Sequence, residues 1–183
     1  MAFWRVPFEI AGDAAPRRLG EPADVSWEAV DDDDERLLEV LARALETSID
    51  PRDIAAIRAV GAGALAAGMI EDARAGQVYR SEVEWWSIVA FKGEPAGVVL
   101  PVVFRGCARG ALDEGTIYHL GVLPEQRSRG LGRLLLGRAT DTLLSHGVWR
   151  IFCDTAAENA PMIRLFEQQG WTRLQPVEVS GPQ

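Results

Sequence analysis

The sequence predicts an α/β domain built on a mixed sheet flanked by helices, and three observations carry that prediction. Apolar residues recur at helical spacing between Leu37 and Ile57. Runs rich in Trp, Ile, Val and Phe, broken by turn residues, follow from residue 83. The last third of the chain alternates strand, helix, strand, helix, strand. With 183 residues, 48% of them hydrophobic and 25% charged, the chain is long enough to bury one core and too short for two of ordinary size.

The elements follow in order. Residues 1–26 hold one short apolar stretch, Phe3 to Ile10, interrupted by Pro7 and followed by Ala, Pro, Gly and charge. This reads as an irregular arm before a domain over 27–176 and a tail over 177–183. Asp31, Asp32, Asp33, Asp34 and Glu35 put acidic groups at the start of a first helix on Leu37, Leu38, Leu41 and Leu45. As a calcium loop the run fails, because Arg36 stands at the sixth position, which needs glycine. Asp50 and Pro51 give a second helix start, with Ile54 and Ile57 on its apolar side and Gly61, Gly63 and Gly68 leaving its end open.

Residues 83–91 and 96–104 read as antiparallel strands joined by the turn Lys92-Gly93-Glu94-Pro95. Trp85 and Trp86 would then face opposite sides, one toward the core and the other free to line an acceptor pocket. A loop marked by Gly106, Gly110, Asp113 and Gly115 precedes a strand over 116–122. A helix on Leu131, Leu134, Leu135, Ala139 and Leu143 stops at Gly147, and an apolar strand covers 148–153. Asn159 opens a helix on Met162, Leu165 and Phe166, Gly170 closes it, and residues 171–174 form the last strand.

Charge and cysteine usage exclude several function classes. The net charge is −8, with a sequence pI of about 4.8, so no overall positive field exists to displace counterions from nucleic acid. Residues 116–183 carry +1 and the preceding part −9, so any basic site is local. Two cysteines, Cys107 and Cys153, without a CxxC spacing suggest neither a disulfide scaffold nor zinc, and both read as inert thiols. No secretory signal and no membrane-spanning run is legible, and a cytoplasmic protein is expected.

The chemistry concentrates in Leu120-Gly121-Val122-Leu123-Pro124-Glu125-Gln126-Arg127-Ser128-Arg129-Gly130-Leu131-Gly132-Arg133: a strand, a proline-marked turn, then a basic glycine-containing loop opening a helix. The first-turn N–H groups of a helix lack internal partners, and its dipole places positive potential beside them. Gly130 and Gly132 let backbone approach a pyrophosphate, while Arg127, Arg129 and Arg133 add charge. A P-loop is excluded because Arg133-Leu134 follows Gly132 where lysine and a hydroxyl are required. A dinucleotide fingerprint on Gly130, Gly132 and Leu135 fails too. Leu135 is too large, and seven residues separate the strand from the glycines.

Arg127-Ser128-Arg129-Gly130-Leu131-Gly132, after Val122 and Pro124, resembles motif A (R/Q-x-x-G-x-G/A) of the GNAT superfamily of N-acyltransferases. The segment from Asn159 to Trp171 is similar to the family's N-x-x-A/M-x-x-L-Y/F-E-x-x-G-F/W stretch. The resemblance is sharp from about Thr116 to Leu174 and architectural before that. It implies a GNAT-like mixed, centrally splayed β-sheet flanked by α-helices. It also implies acetyl-CoA as co-substrate, no metal, and an N-acetyltransferase moving the acetyl group to a primary amine by direct attack in a ternary complex.

By the same resemblance, pantetheine lies between the strands ending near Val122 and Cys153. Main-chain groups of Leu120, Gly121 and Val122 would pair with it, and amides of Arg127, Ser128, Arg129, Gly130, Leu131 and Gly132 would wrap the pyrophosphate. Asn159 would touch the pantetheine arm, cap its helix, or both. Near Val122 an N–H would polarise the thioester carbonyl. The candidate bases are Tyr118, Glu84 and His119; strand parity puts Tyr118 with Leu120 and Val122 and His119 on the other face. Phe166 departs from the family, standing where many members carry a tyrosine that protonates the leaving thiolate. Two alternatives stay open: a catalytically weak CoA-binding regulatory module, and transfer of a longer acyl or aminoacyl group. The expected partner is a small-molecule or peptide amine, with no nucleic acid and no membrane; domains of this kind often form a homodimer.

Overall fold

A computed structural model describes residues 2–15, 20–31 and 35–180. Its sheet runs in the order β2 (Val25–Ala29), β4 (Ser87–Phe91), β5 (Glu94–Arg109), β6 (Leu112–Val122), β7 (Val148–Ala156), β1 (Ala2–Ala11), β8 (Thr172–Arg173). The short β3 (Tyr79–Arg80) flanks β5, and β9 (Val177–Ser180) flanks β1. Among the described residues only β6 and β7 pair in parallel; every other pairing is antiparallel.

Helices α1 (Glu35–Leu45), α2 (Pro51–Val60) and α3 (Ala62–Ala75) precede β3; α4 (Leu131–Ser145) links β6 to β7, and α5 (Ala160–Gln168) links β7 to β8. Along β5 every residue from Ala96 to Val103 is buried, because both faces of the sheet are covered. Val98, Leu100 and Val102 join the main core with Leu37, Leu41 and Trp86, whereas Val99 packs with Leu131, Leu135 and Ala139 of α4. The start of α2 is the expected one: the Asp50 side chain accepts from the Arg52 amide at 2.9 Å, ahead of Pro51. Its end, left open by the sequence, is Gly61 at φ +83°, from which α3 departs at 111°. Among the described residues, no single helix is long and apolar enough to cross a membrane.

Several expectations are corrected. Within the arm expected over residues 1–26, Ala2–Ala11 instead form strand β1, inserted between β7 and β8, and Val25 opens β2, within which the anticipated domain boundary falls. Pro7 is tolerated because its carbonyl side faces the gap between β9, which pairs with residues 2–5, and β8, which pairs with Phe8 and Glu9. No ladder N–H is needed there. The tail begins as β9, antiparallel to β1. Residues 83–91 are not one strand: Val83–Trp85 form a 3₁₀ turn, so alternation is lost and both Trp85 and Trp86 are buried. The Lys92-Gly93 turn is present, with φ of +54° and +82° as a two-residue hairpin requires. The loop expected over 106–115 is a hairpin extension, with β5 reaching Arg109 and β6 starting at Leu112. Of the acidic run, Glu35 begins α1, while Asp32, Asp33 and Asp34 lie outside the described residues.

Candidate active site

The parallel pairing of β6 with β7 stops at Gly115 and Ile151, although β6 continues to Val122 and β7 to Ala156. Beyond that point the strands part, which is the central splay that the family resemblance implied. Two cavities occupy the opening. The first, about 580 Å³, lies between the end of β6, the loop before α4, and α5. The second, about 380 Å³, reaches from α2 and α3 across the splay to α5. Ser48, His119, Leu120, Asn159 and Met162 border both, so they mark the junction.

The loop entering α4 is built as a donor array. Pro124–Gln126 form a 3₁₀ turn, and Ser128 (φ +63°) and Gly130 (φ +80°) take left-handed conformations that turn successive peptides. The five amides of Ser128, Arg129, Gly130, Leu131 and Gly132 have no intramolecular partner among the described residues, and no side chain caps the helix. A Cβ on Gly130 would meet nothing within 4 Å, so the space above the loop is open. This arrangement fits a pyrophosphate: concentrated N–H donors at the positive end of a fifteen-residue helix, with no carbonyl blocking them.

The predicted cofactor residues separate into two groups. Leu120, Gly121, Val122, Arg127, Ser128, Gly130, Leu131, Gly132 and Asn159 all border the first cavity. Arg127 is already committed, with Nε donating to the Val122 carbonyl at 3.2 Å and a terminal nitrogen to Thr47 Oγ1 at 2.5 Å, so it ties the end of α1 to β6. Arg129 turns away, its guanidinium 4.9 Å from the Phe91 ring centroid, and does not line the cavity. Asn159 caps α5, its Oδ1 accepting from the Met162 amide at 3.2 Å, and also borders both cavities. Gly121 has a packing reason of its own, since a Cβ there would come within 2.7 Å of Ala44 Cβ and 3.0 Å of His119 Nε2.

The three candidate bases part company. Glu84 is exposed on the 3₁₀ turn and borders neither cavity. Tyr118 and His119 both border the second cavity, against the parity expectation. The ladder steps from Leu100–His119 to Pro101–Ile117, leaving Tyr118 as an unpaired bulge residue opposite a proline that has no N–H to give. Tyr118 packs on Tyr79 with ring centroids 4.9 Å apart, and its partial burial pushes the phenol up to about 12. His119 Nε2 is buried without a hydrogen-bond partner. Burial lowers the imidazole's pKa, opposed by the charges of Asp53 and Asp50.

Other functional groups gave no sequence signal. Gln126, at the rim of the first cavity, buries Oε1 without a partner. Arg5, buried in β1, ion-pairs with both Asp50 and Asp154, with Nε to Asp154 Oδ1 at 2.9 Å. These residues lie 45 and 149 positions away, which no local pattern encodes. Phe166 is buried and stacked on Phe8 with centroids 4.7 Å apart, so an apolar ring fills this corner of the second cavity.

Comparison with known proteins agrees with this architecture. The family model described as acetyltransferase (GNAT) family matches residues 63–171. The [ribosomal protein bS18]-alanine N-acetyltransferase of Salmonella typhimurium is 40% identical over 60 residues, 33% of this chain and 40% of that protein. The mycothiol acetyltransferase of Beutenbergia cavernae is 47% identical over 58 residues, 32% of this chain and 20% of that protein. The chain thus matches less than half the length of these curated relatives. A GCN5-related N-acetyltransferase from Sphaerobacter thermophilus superposes with a TM-score of 0.63 at 17% identity, over 96% of this chain and 50% of that one, which speaks to the fold. With a splayed sheet, a donor array at the head of α4 and a family model spanning more than half of its residues, the chain belongs to the acetyltransferase (GNAT) family.

Proposed function

We propose that the protein is an acetyl-CoA-dependent N-acetyltransferase acting on a primary amine. The observation that carries this reading is the run of five unpartnered amides from Ser128 to Gly132, in a loop whose Ser128, Gly130, Leu131 and Gly132 line an open cavity beside the parted strands. Acetyl-CoA bound there would supply an activated acetyl thioester. The freed edge of β6 beyond Gly115 has main-chain groups for the pantetheine arm, and the amides of Ser128 to Gly132 hold the pyrophosphate.

At the junction of the cavities, His119 Nε2 is a buried, unpartnered imidazole nitrogen kept neutral by its surroundings, suited to accept the proton of an incoming ammonium. The amine nitrogen then forms its bond to the acetyl carbon while the carbon–sulfur bond breaks, its electron pair leaving on sulfur. The adduct nitrogen sheds its second proton as the amide forms, and Tyr118, a protonated phenol on the wall of the second cavity, would pass its own proton to the sulfur and take that one in return, in the role left empty by Phe166. Holding both reactants at the junction makes the attack effectively intramolecular.

Titration calorimetry with acetyl-CoA, run beside a thiol-release assay over a broad panel of amines, tests the reading. Binding with amine-stimulated thiol release is expected. Binding without release would identify a regulatory CoA-binding module, and amine-stimulated thiol release from a longer acyl-CoA but not from acetyl-CoA would point to a longer acyl donor. Absence of binding would overturn the reading altogether.

A further inference from the structure

The second cavity is more than a passage to the thioester, because its walls are differentiated. One side is apolar, with Ala56, Leu65 and Met69 from α2 and α3 facing Met162 and Phe166 of α5. The polar side carries three carboxylates, Asp50, Asp53 and Asp154, against two guanidinium groups. Arg5 lies between Asp50 and Asp154 and offsets both. The exposed Arg52 directs its guanidinium to the Phe3 ring, 5.5 Å from the centroid. Asp53 has no cationic partner among the described residues; its carboxylate accepts from Ser48 Oγ at 2.6 Å, and Ser48 borders both cavities.

We infer that the second cavity is the acceptor site and that it selects an ammonium carried on an apolar group without an adjacent carboxylate, Asp53 receiving the charge and the walls of α3 and α5 the hydrocarbon. The inference rests on the acetyl-transfer reading above for the reacting group, and adds to it the class of molecule that the site takes. Its physical basis is an uncompensated carboxylate beside an apolar wall. A cation finds an opposite charge that the fold has left without one, and an apolar substituent leaves water at the same moment. An acceptor with its own carboxylate would bring like charge against Asp53 and find Arg5 already paired with Asp50 and Asp154. His119, which borders both cavities, is the residue toward which such an ammonium would be directed.

Three probes separate the components: isoamylamine is cationic and apolar, leucine adds a carboxylate to the same skeleton, and ethanolamine is cationic without the hydrocarbon. Their binding is measured by calorimetry on the full chain, with and without saturating CoA. Isoamylamine is expected to bind at least about tenfold more tightly than either of the others. Asp53→Asn, which keeps an acceptor for Ser48, should cut isoamylamine affinity by about tenfold, leave leucine within about twofold, and leave acetyl-CoA affinity intact. Leu65→Ala should weaken isoamylamine alone. Equal affinity for leucine and isoamylamine, or an Asp53→Asn variant that binds isoamylamine as the parent does, would overturn the inference. If isoamylamine binds as described but is never acetylated, the transfer reading fails and the selectivity of the cavity stands.

Discussion

Ile117 donates its amide to the Sγ of Cys153 across 3.3 Å, at the point where β6 and β7 have ceased to pair. A side-chain sulfur thus takes the place of the carbonyl that a continuous parallel ladder would have offered, and the strands part without leaving that N–H unsatisfied. The thiol belongs to the second cavity's wall, yet it is buried and burial pushes its pKa up to about 12.

Thiol titration of the native protein at neutral pH should therefore give one fast equivalent, from the exposed Cys107, and a second only on unfolding. Fast reaction of both would show that the splay is open to solvent at Cys153. The same raised pKa values set an alkaline limit. The folded state keeps the protons of Cys153 and Tyr118 where the unfolded chain releases them, above 9 for the thiol and 10 for the phenol. Stability is then full below those values and declines as pH rises toward 12, a slope that Cys153→Ala should flatten in denaturant melts.

Gly130 adopts φ +80° in open space, so Gly130→Glu leaves the packing untouched. The left-handed backbone costs about 1–2 kcal/mol, seen as a fall in Tm of about 5 °C. Its carboxylate, standing among the amides proposed for phosphate, should weaken acetyl-CoA by roughly a hundredfold in calorimetry. An unchanged affinity would remove the pyrophosphate from this loop.

His119→Gln should lower kcat by about a hundredfold or more while acetyl-CoA affinity holds. In the parent enzyme the acid limb of kcat/KM should fall below the ordinary histidine value of 6.5, since burial disfavours the charged imidazole. Asp53→Asn removes the charge that most opposes this effect and should move the limb lower still. A limb at or above 6.5, or one that Asp53→Asn shifts upward, would reassign the base.

Arg5→Met leaves Asp50 and Asp154 facing one another without their shared cation, and should cost roughly 3 kcal/mol and on the order of 10 °C in Tm. Asp154→Asn in the same chain should recover part of the loss, which a pure packing defect would not. Full stability in Arg5→Met would show that the pair of ion contacts contributes nothing.

What the sequence revealed and what it hid divide along physical lines. The loop from Arg127 to Gly132, the cap at Asp50, the glycine entry into α4 at Gly130 and the cap at Asn159 are local devices, each written in a few adjacent residues, and the structure contains them. The strand β1 was hidden because its evidence is non-local: Pro7 argues against a strand until the gap between β8 and β9 is seen. The cavity walls were hidden for the same reason, since Arg5, Asp50 and Asp154 meet only in the folded chain. Tyr118 shows how one bulge defeats a parity argument.

The position of β1 has a consequence for folding. Its first residues pair with Val177–Ser180 and its later ones with β7 and β8, so each of its neighbours lies far along the chain from it. Until those segments meet, β1 keeps both flanks bare and Phe8 lacks the ring of Phe166 to rest upon. Such distant pairings slow folding and prolong the interval in which a sticky edge is on view.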